Sequence, residues 1–253
     1  MRLLSWNVNG LRAVQKRGFL DWFLSDAPEA LCLQETKASP DQLDDELIEV
    51  PGYHVYFDSH KFKKGYSGVA LYSKAEPISV EYGIGIDLYD TEGRMIIAEY
   101  PSFILCNVYF PNGKMEGRLS YKLDFYEEFL AYCDERREDG HSIIICGDFN
   151  TAHHPIDLKH PKANEEISGF LPIEREWMDK LEDHGYVDAY RHLYPERVQY
   201  SWWSYMRRAR ERDSGWRLDY HYVTEDLLPR VKDAKILTDV MGSDHCPVEL
   251  DLD

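Results

Sequence analysis

Eight side chains able to do acid–base or ligand chemistry stand at the ends of apolar runs: Asn7, Glu35, Tyr109, Asp148, Asn150, Asp219, Asp244 and His245. The densest run is Ile143, Ile144, Ile145 and Cys146, stopped by Gly147 and followed at once by Asp148 and Asn150. Residues two apart on an extended chain share a face, so these two are expected side by side, with Phe149 anchoring the opposite side. If the ends converge, the site holds several carboxylates, two amides and a histidine, with neither a cysteine nor a glycine-rich cradle. Hard oxygen ligands of this kind suit Mg²⁺ or Mn²⁺ and not zinc. Phosphodiester hydrolysis is the reaction such a set suits. A metal polarises the phosphate, a carboxylate deprotonates water, and a cationic group meets the charge that develops in the transition state.

Each residue alone also has a plainer role. Asp and Asn after a strand are common turn formers, and Asn7 and Asn9 before Gly10 can shape a turn. Glu35 can pair with Lys37, Tyr109 can belong to the core, and residues 243–245 can form a turn. The recurrence of the pattern at one strand end after another is what favours a site.

The elements that must position these residues follow from periodicity. Strands are expected at residues 3–8, 30–34, 53–57, 68–72, 95–100, 103–110, 143–146, 200–205, 217–223, 234–237 and 248–252. Helices are expected at 16–26, 40–48, 119–136 and 174–184, with a polar loop over 152–172. The 143–146 run is too short for a helix and reads as a strand buried on both faces. Neither a repeat nor a Gly/Ser linker divides the 253 residues, so one domain, residues 1–253, is expected. Two packed, mixed sheets with helices outside, an α/β fold, would bury this many strands.

Composition narrows the class further. With 43% hydrophobic and 30% charged residues the chain reads as globular, and no apolar run approaches the roughly 18 residues of a membrane span. The N-terminus enters a strand at once, which leaves no room for a signal peptide. Five cysteines without CxxC spacing, three of them inside apolar strands, read as reduced core thiols in a cytoplasmic protein. The net charge of −17 taken alone disfavours a polyanionic partner. Its distribution is uneven, however: Arg207, Arg208, Arg210 and Arg212 cluster, as do Lys61, Lys63 and Lys64, which permits a basic cleft on an acidic body.

Eight segments, in order along essentially the whole chain, carry a family resemblance: SWNVNGLR (5–12), LCLQETK (31–37), GYSGVALYS (65–73), EGR (92–94), YFPNG (109–113), CGDFNTAH (146–153), GWRLDY (215–220) and GSDHCP (242–247). Together they resemble the exonuclease III family of apurinic/apyrimidinic endonucleases, within the endonuclease/exonuclease/phosphatase superfamily. The resemblance implies a four-layered α/β sandwich and Mg²⁺-dependent hydrolysis, with Mn²⁺ as a substitute. The implied substrate is duplex DNA carrying abasic or damaged sites, cut by a monomer on the 5′ side of the lesion. The resemblance also implies 3′–5′ exonuclease and 3′-end-cleaning activities.

Residue by residue, the resemblance implies that Glu35 is the principal metal ligand, with Asn7 and Asp244 close to the ion. Asp148 aligns or deprotonates the attacking water, and Asn150 holds that water or a phosphate oxygen. His245, braced by Asp219, contacts the scissile phosphate, and Tyr109 bonds the phosphate or assists the leaving oxygen. Trp202, Trp216 and Leu218 would wall a pocket for a flipped-out baseless sugar; by alternation, one of Trp202 and Trp203 faces the pocket and the other the core. Arg207, Arg208, Arg210 and Arg212 would grip the duplex beside the lesion, with Lys63, Lys64 and Tyr66 on the opposite flank. Arg94 would support a metal-side carboxylate or meet phosphate, and Lys114 and Arg118 are assigned generically to phosphate contact.

The pattern has departures. Position 9 is Asn where animal members tend to have Asp, which weakens a second carboxylate-rich metal site. His221 replaces a usual apolar aromatic and reads as a core histidine. His153, His154 and His160 read as loop histidines in preference to zinc ligands, two being adjacent and beside Pro155. Rival substrates are uracil in DNA, a phosphoinositide or a nucleotide phosphoester; a non-enzymatic DNA-binding protein is a further alternative.

Overall fold

A computed structural model describes residues 1–253. Twelve strands form two six-stranded sheets. The first sheet holds β1 (Arg2–Asn7), β2 (Ala30–Gln34), β3 (His54–Asp58), β4 (Val69–Ser73), β11 (Val231–Ile236) and β12 (Val248–Leu252), in spatial order β11-β12-β1-β2-β4-β3. The second holds β5 (Ser79–Glu81), β6 (Met95–Tyr100), β7 (Phe103–Tyr109), β8 (Ile143–Asp148), β9 (Tyr186–Asp188) and β10 (Asp219–Thr224), in order β5-β6-β7-β8-β10-β9. Both are mixed. The β1–β2 and β7–β8 pairs are parallel and every other pair is antiparallel. Parallel neighbours need a crossover. One crossover is α1 (Leu11–Gln15) with α2 (Phe19–Asp26), and a longer helix spans the other.

The remaining helices are α3 (Asp45–Ile48), α4 (Asp87–Asp90), α5 (Arg118–Glu138), α6 (Pro161–Asn164), α7 (Pro172–Asp183) and α8 (Ala189–Leu193). Side-chain alternation sorts the core into layers. Ile144 and Cys146 of β8 face the other sheet, meeting a cluster with Leu3, Cys32 and Leu71. Ile143 and Ile145 face outward, onto Phe125 and Phe129 of α5 and Trp177 of α7. On the far side, Leu4, Trp6 and Leu31 pack on Phe19 and Phe23 of α2. Helix, sheet, sheet and helix thus stack as four layers, as the resemblance implies, and β8 is buried on both faces. All five cysteines are buried and unpaired. No helix is long and apolar enough to cross a membrane.

Several elements differ from expectation. The 16–26 helix begins only at Phe19, because Gly18 takes a left-handed φ of 87° that separates it from α1. The 40–48 helix breaks into a 3₁₀ turn (Pro40–Gln42) and α3: Leu43 and Asp44 are extended, and Leu47 alone is buried, too little apolar surface to hold a continuous helix. Residues 200–205 are not a strand. Trp202 pairs with Trp216 while the Trp203 N–H donates to the Asp244 carbonyl, so neighbouring residues bind different segments and no ladder propagates. Strands β5 and β9 have three residues each, too few to show a period.

Candidate active site

The strand ends meet because the registers align them. Asn7 of β1 lies beside Gln34 of β2, which delivers Glu35. Asp148 of β8 has Tyr109 as its partner in β7 and Asp219 as its partner in β10. The segment before β12 brings in Asp244 and His245, and Ser243 Oγ fastens it to the Asn7 carbonyl at 2.9 Å.

Asn7 joins the two halves. Its Nδ2 donates to Glu35 Oε2 at 3.0 Å and to Asp148 Oδ2 at 2.9 Å. Asn150 does sit beside Asp148, though not by extended alternation: it has a left-handed φ of 51°, and its backbone N–H folds back onto Asp148 Oδ1 at 2.8 Å. The turn-forming habit of Asn and the catalytic placement are therefore one geometry. Asn150 Nδ2 also reaches Asp148 Oδ2 at 3.2 Å, and Asn112 Nδ2 donates to Asn150 Oδ1. Phe149 points the other way and packs on Phe110 in the core, the two rings tilted by 32°.

His245 stands between two carboxylates, with Nδ1 2.8 Å from Asp219 Oδ2 and Nε2 3.9 Å from Asp148 Oδ2. Asp219 Oδ2 also accepts from Ser201 Oγ at 2.6 Å. Burial works against the imidazolium, but Asp219 and Asp148 overcome it and raise His245 to about 10. Burial, reinforced by Asp219, pushes Asp148 up to about 7, while His245 and the Asn150 N–H restrain the rise. Burial pushes the Tyr109 hydroxyl well up, so it stays protonated.

These groups open onto a cavity of about 560 Å³. Glu35, Asp244, Trp202, Trp216 and Leu218 all line it. Asp244 accepts from Asn9 Nδ2 at 2.9 Å and Trp202 Nε1 at 3.0 Å, and Lys37 Nζ lies 2.9 Å from Glu35 Oε1. Burial opposes the charge on Asp244, yet His245 and these donors hold it below the usual carboxylate range. Among the side chains there able to ligate an ion, Glu35 and Asp244 offer only carboxylate oxygens to the cavity, which suits a hard divalent cation. Asp148, Asp219 and His245 also bring ligand atoms within 4.8 Å of one another, but there the imidazole already fills the space between the carboxylates.

The indoles of Trp202 and Trp216 meet edge to face at 83°, backed by Phe170. Trp203 is buried between the sheets, so the expected alternation holds. Arg207, Arg208 and Arg212 are exposed, as are Lys63 and Lys64; Lys63 Nζ lies 4.0 Å from the Tyr66 ring. Lys114 lies over Trp202 at 5.6 Å. Two arginines need correction. Arg210 is spent on the carbonyls of Thr238, Val240 and Ser243, where it organises the segment leading to Asp244 and is not a free phosphate grip. Arg94 is 2% exposed and is held by Glu92, the Tyr109 carbonyl and the Tyr66 hydroxyl, so it cannot meet phosphate. Arg118 is likewise paired with Glu92.

Local sequence missed other parts. Lys122, fully buried, bonds the Asn150 carbonyl at 2.9 Å, Thr151 Oγ1 at 2.7 Å and Glu174 at 2.7 Å. Its signal was a lysine inside the apolar stripe of Phe125, Tyr126 and Phe129. Exposed Phe62 and Met206 tip the two basic loops. His221 is a core histidine, lowered to about 3 by burial. His153 lies in a loop, as expected, but is only 1% exposed, because this end of the 152–172 loop packs on Tyr220 and α7. His160 stands apart on the main cavity.

A two-sheet sandwich with an Asp–His–Asp array at its mouth defines a hydrolase of the phosphoester-cleaving class. Residues 4–245 match the model of the Endonuclease/Exonuclease/phosphatase family, and the chain belongs to that family. It is similar to an exodeoxyribonuclease of Bacillus subtilis, 47% identical over 99% of this chain and 98% of the other. It is also similar to the DNA repair nuclease APEX1 of Danio rerio, 45% identical over 99% of this chain and 81% of that protein. Among solved structures, the 3'-5' exonuclease NExo from Neisseria meningitidis superposes with a TM-score of 0.92 at 27% identity, covering both chains completely. An AP endonuclease from Archaeoglobus fulgidus gives 0.89 at 29% identity, covering 100% of this chain and 99% of that one.

Proposed function

We propose that this chain is a Mg²⁺-dependent DNA-repair nuclease that hydrolyses the phosphodiester 5′ to abasic sites in duplex DNA. It would also trim 3′ ends, and it acts as a monomer in the cytoplasm. The observation that carries the reading is the Asn7 amide, which spans Glu35 and Asp148 at 3.0 and 2.9 Å. It puts the carboxylate suited to a metal next to the carboxylate suited to water.

Glu35, with Asn7 and Asp244 nearby, would hold the ion. When bound, it supplies Lewis-acid stabilisation of the phosphate and can be replaced by Mn²⁺. Asp148, poised near 7, is the group able to accept a proton from the attacking water near neutrality. Asn150 fixes the Asp148 carboxylate and holds the water or a phosphate oxygen. His245, kept as imidazolium by Asp219, donates from Nε2 to the scissile phosphate. Tyr109, protonated, donates to the phosphate or the leaving 3′ oxygen. Attack is in line: the new P–O bond forms from water as the P–O3′ bond breaks, leaving a 3′-hydroxyl and a 5′-deoxyribose phosphate, without a covalent enzyme intermediate.

Trp202, Trp216 and Leu218 shape a pocket that accepts a sugar without its base, and extrusion costs least where pairing is already absent. Arg207, Arg208, Arg212, Lys63, Lys64 and Lys114 supply the positive contacts along the backbone that the net charge of −17 lacks overall. The test is incision of end-labelled duplexes carrying an abasic analogue, a uracil or neither, with and without Mg²⁺. Cleavage confined to the abasic duplex and abolished by EDTA is expected; equal cleavage at uracil, or none anywhere, would reject the reading.

A further inference from the structure

On the side of the second sheet away from the cavity, His153 follows the catalytic turn and faces α7. Its Nε2 lies 2.7 Å from Asp179 Oδ1. Its Nδ1 is buried, has no hydrogen-bond partner, and is aimed at Glu182 Oε1, 3.6 Å away. With Nε2–H donating to Asp179, Nδ1 presents a lone pair towards Glu182, whose carboxyl is pushed up to about 7 by burial and by the nearby Asp188 and Asp179 and makes no hydrogen bond to the ring. A ring nitrogen bonded to a carboxylate while the other is left bare is the arrangement that metal-bound histidines adopt, the carboxylate fixing tautomer and orientation.

The neighbouring groups complete a donor set. The His154 ring stacks on His153 with centroids 3.7 Å apart, and ligand atoms of His153, His154 and Glu182 all lie within 4.8 Å of one another. Zinc-type bonds of about 2.0–2.2 Å in tetrahedral geometry set neighbouring donors roughly 3.3–3.5 Å apart. The 3.6 Å gap between Nδ1 and Oε1 is close to that edge. A cavity of about 260 Å³ adjoins the group, lined among others by His154, Glu182, Asp188, His192 and Arg191, whose guanidinium is paired with Asp157. It gives an ion a way in and gives the half-buried His154 ring room to turn off the stack.

The geometry points to a second, structural metal site, built by His153, His154 and Glu182 for a borderline transition-metal ion of the zinc class. Two imidazoles and one carboxylate select such an ion over Mg²⁺, which prefers an all-oxygen shell. Its effect is mechanical: it ties the segment after Asn150 to α7.

The experiment uses the whole chain, stripped with a chelator and dialysed into excess Mg²⁺, then titrated with Zn²⁺ by calorimetry and melted with and without Zn²⁺. One Zn²⁺ equivalent is expected that persists in Glu35→Gln and weakens at least about tenfold in His154→Ala and in Glu182→Gln. Saturating Zn²⁺ should raise the melting temperature by about 5–10 °C in the unaltered protein and not in those two variants. Both replace partly exposed side chains, so His153 and the core stay intact. If a protonated Glu182 instead donates to His153 Nδ1, no such equivalent exists. That result, or Zn²⁺ binding in His154→Ala and Glu182→Gln identical to that of the unaltered protein, overturns the site.

Discussion

Asp148 and Asp219 are directly opposed across the antiparallel β8–β10 pair, and the His245 ring stands between their carboxylates. Burial and the facing Asp219 charge raise the proton affinity of Asp148, and the intervening imidazolium restrains the rise. The acid–base character of the site therefore belongs to the trio, and to the register that opposes the two aspartates.

Replacing Asp148 by Asn keeps the shape and the bond from Asn7 but removes the proton acceptor. Single-turnover incision should fall by about 10²–10⁴-fold, while gel-shift affinity for the abasic duplex stays within severalfold. Near-normal turnover would deny Asp148 its role.

The pH profile should carry both raised values. Incision rises about tenfold per unit up to about pH 7, as Asp148 ionises, and falls again above about 10, where His245 loses its proton. Asp219→Asn removes the strongest support for the imidazolium and should bring the alkaline limb down in pH. By linkage, the raised His245 value also stabilises the fold, fully below its ordinary 6.5 and fading as pH climbs through about 10. A limb unmoved by Asp219→Asn would count against the pairing.

Glu35→Ala leaves the Lys37 ammonium without its carboxylate and removes the oxygen donor proposed to hold the ion. The Mg²⁺ concentration for half-maximal incision should rise at least about tenfold. An unchanged Mg²⁺ titration would place the ion elsewhere.

Lys122 and Glu174 form an ion pair with no solvent exposure, and Glu174 also accepts the Gly169 and Leu171 N–H groups. Lys122→Met should cost about 3–5 kcal/mol in urea unfolding, because it strands a buried carboxylate. The double change Lys122→Met with Glu174→Leu should recover part of that loss. Since Lys122 also holds the Asn150 carbonyl, kcat should fall in both proteins, and a full recovery of kcat in the double variant would refute that link.

Local pattern determined a great deal about this protein. The unbroken apolar run Ile143–Cys146 dictated a strand with two apolar faces, and the polar residues at the ends of apolar runs marked Asn7, Glu35, Asp148, Asp219 and His245. Period-based reasoning failed where pairing partners come from afar. The aromatic run at 200–205 resembled a strand but pairs with two distant segments. Arg94 and Arg210 resembled DNA contacts but are consumed by interior carbonyls and Glu92. The lysine inside an apolar stripe became an interior clamp only because Glu174, 52 residues on, meets it. Tertiary structure alone decided those matters, since a charged or amide side chain takes its role from the groups packed around it, and these are set by the fold and not by neighbours in the chain.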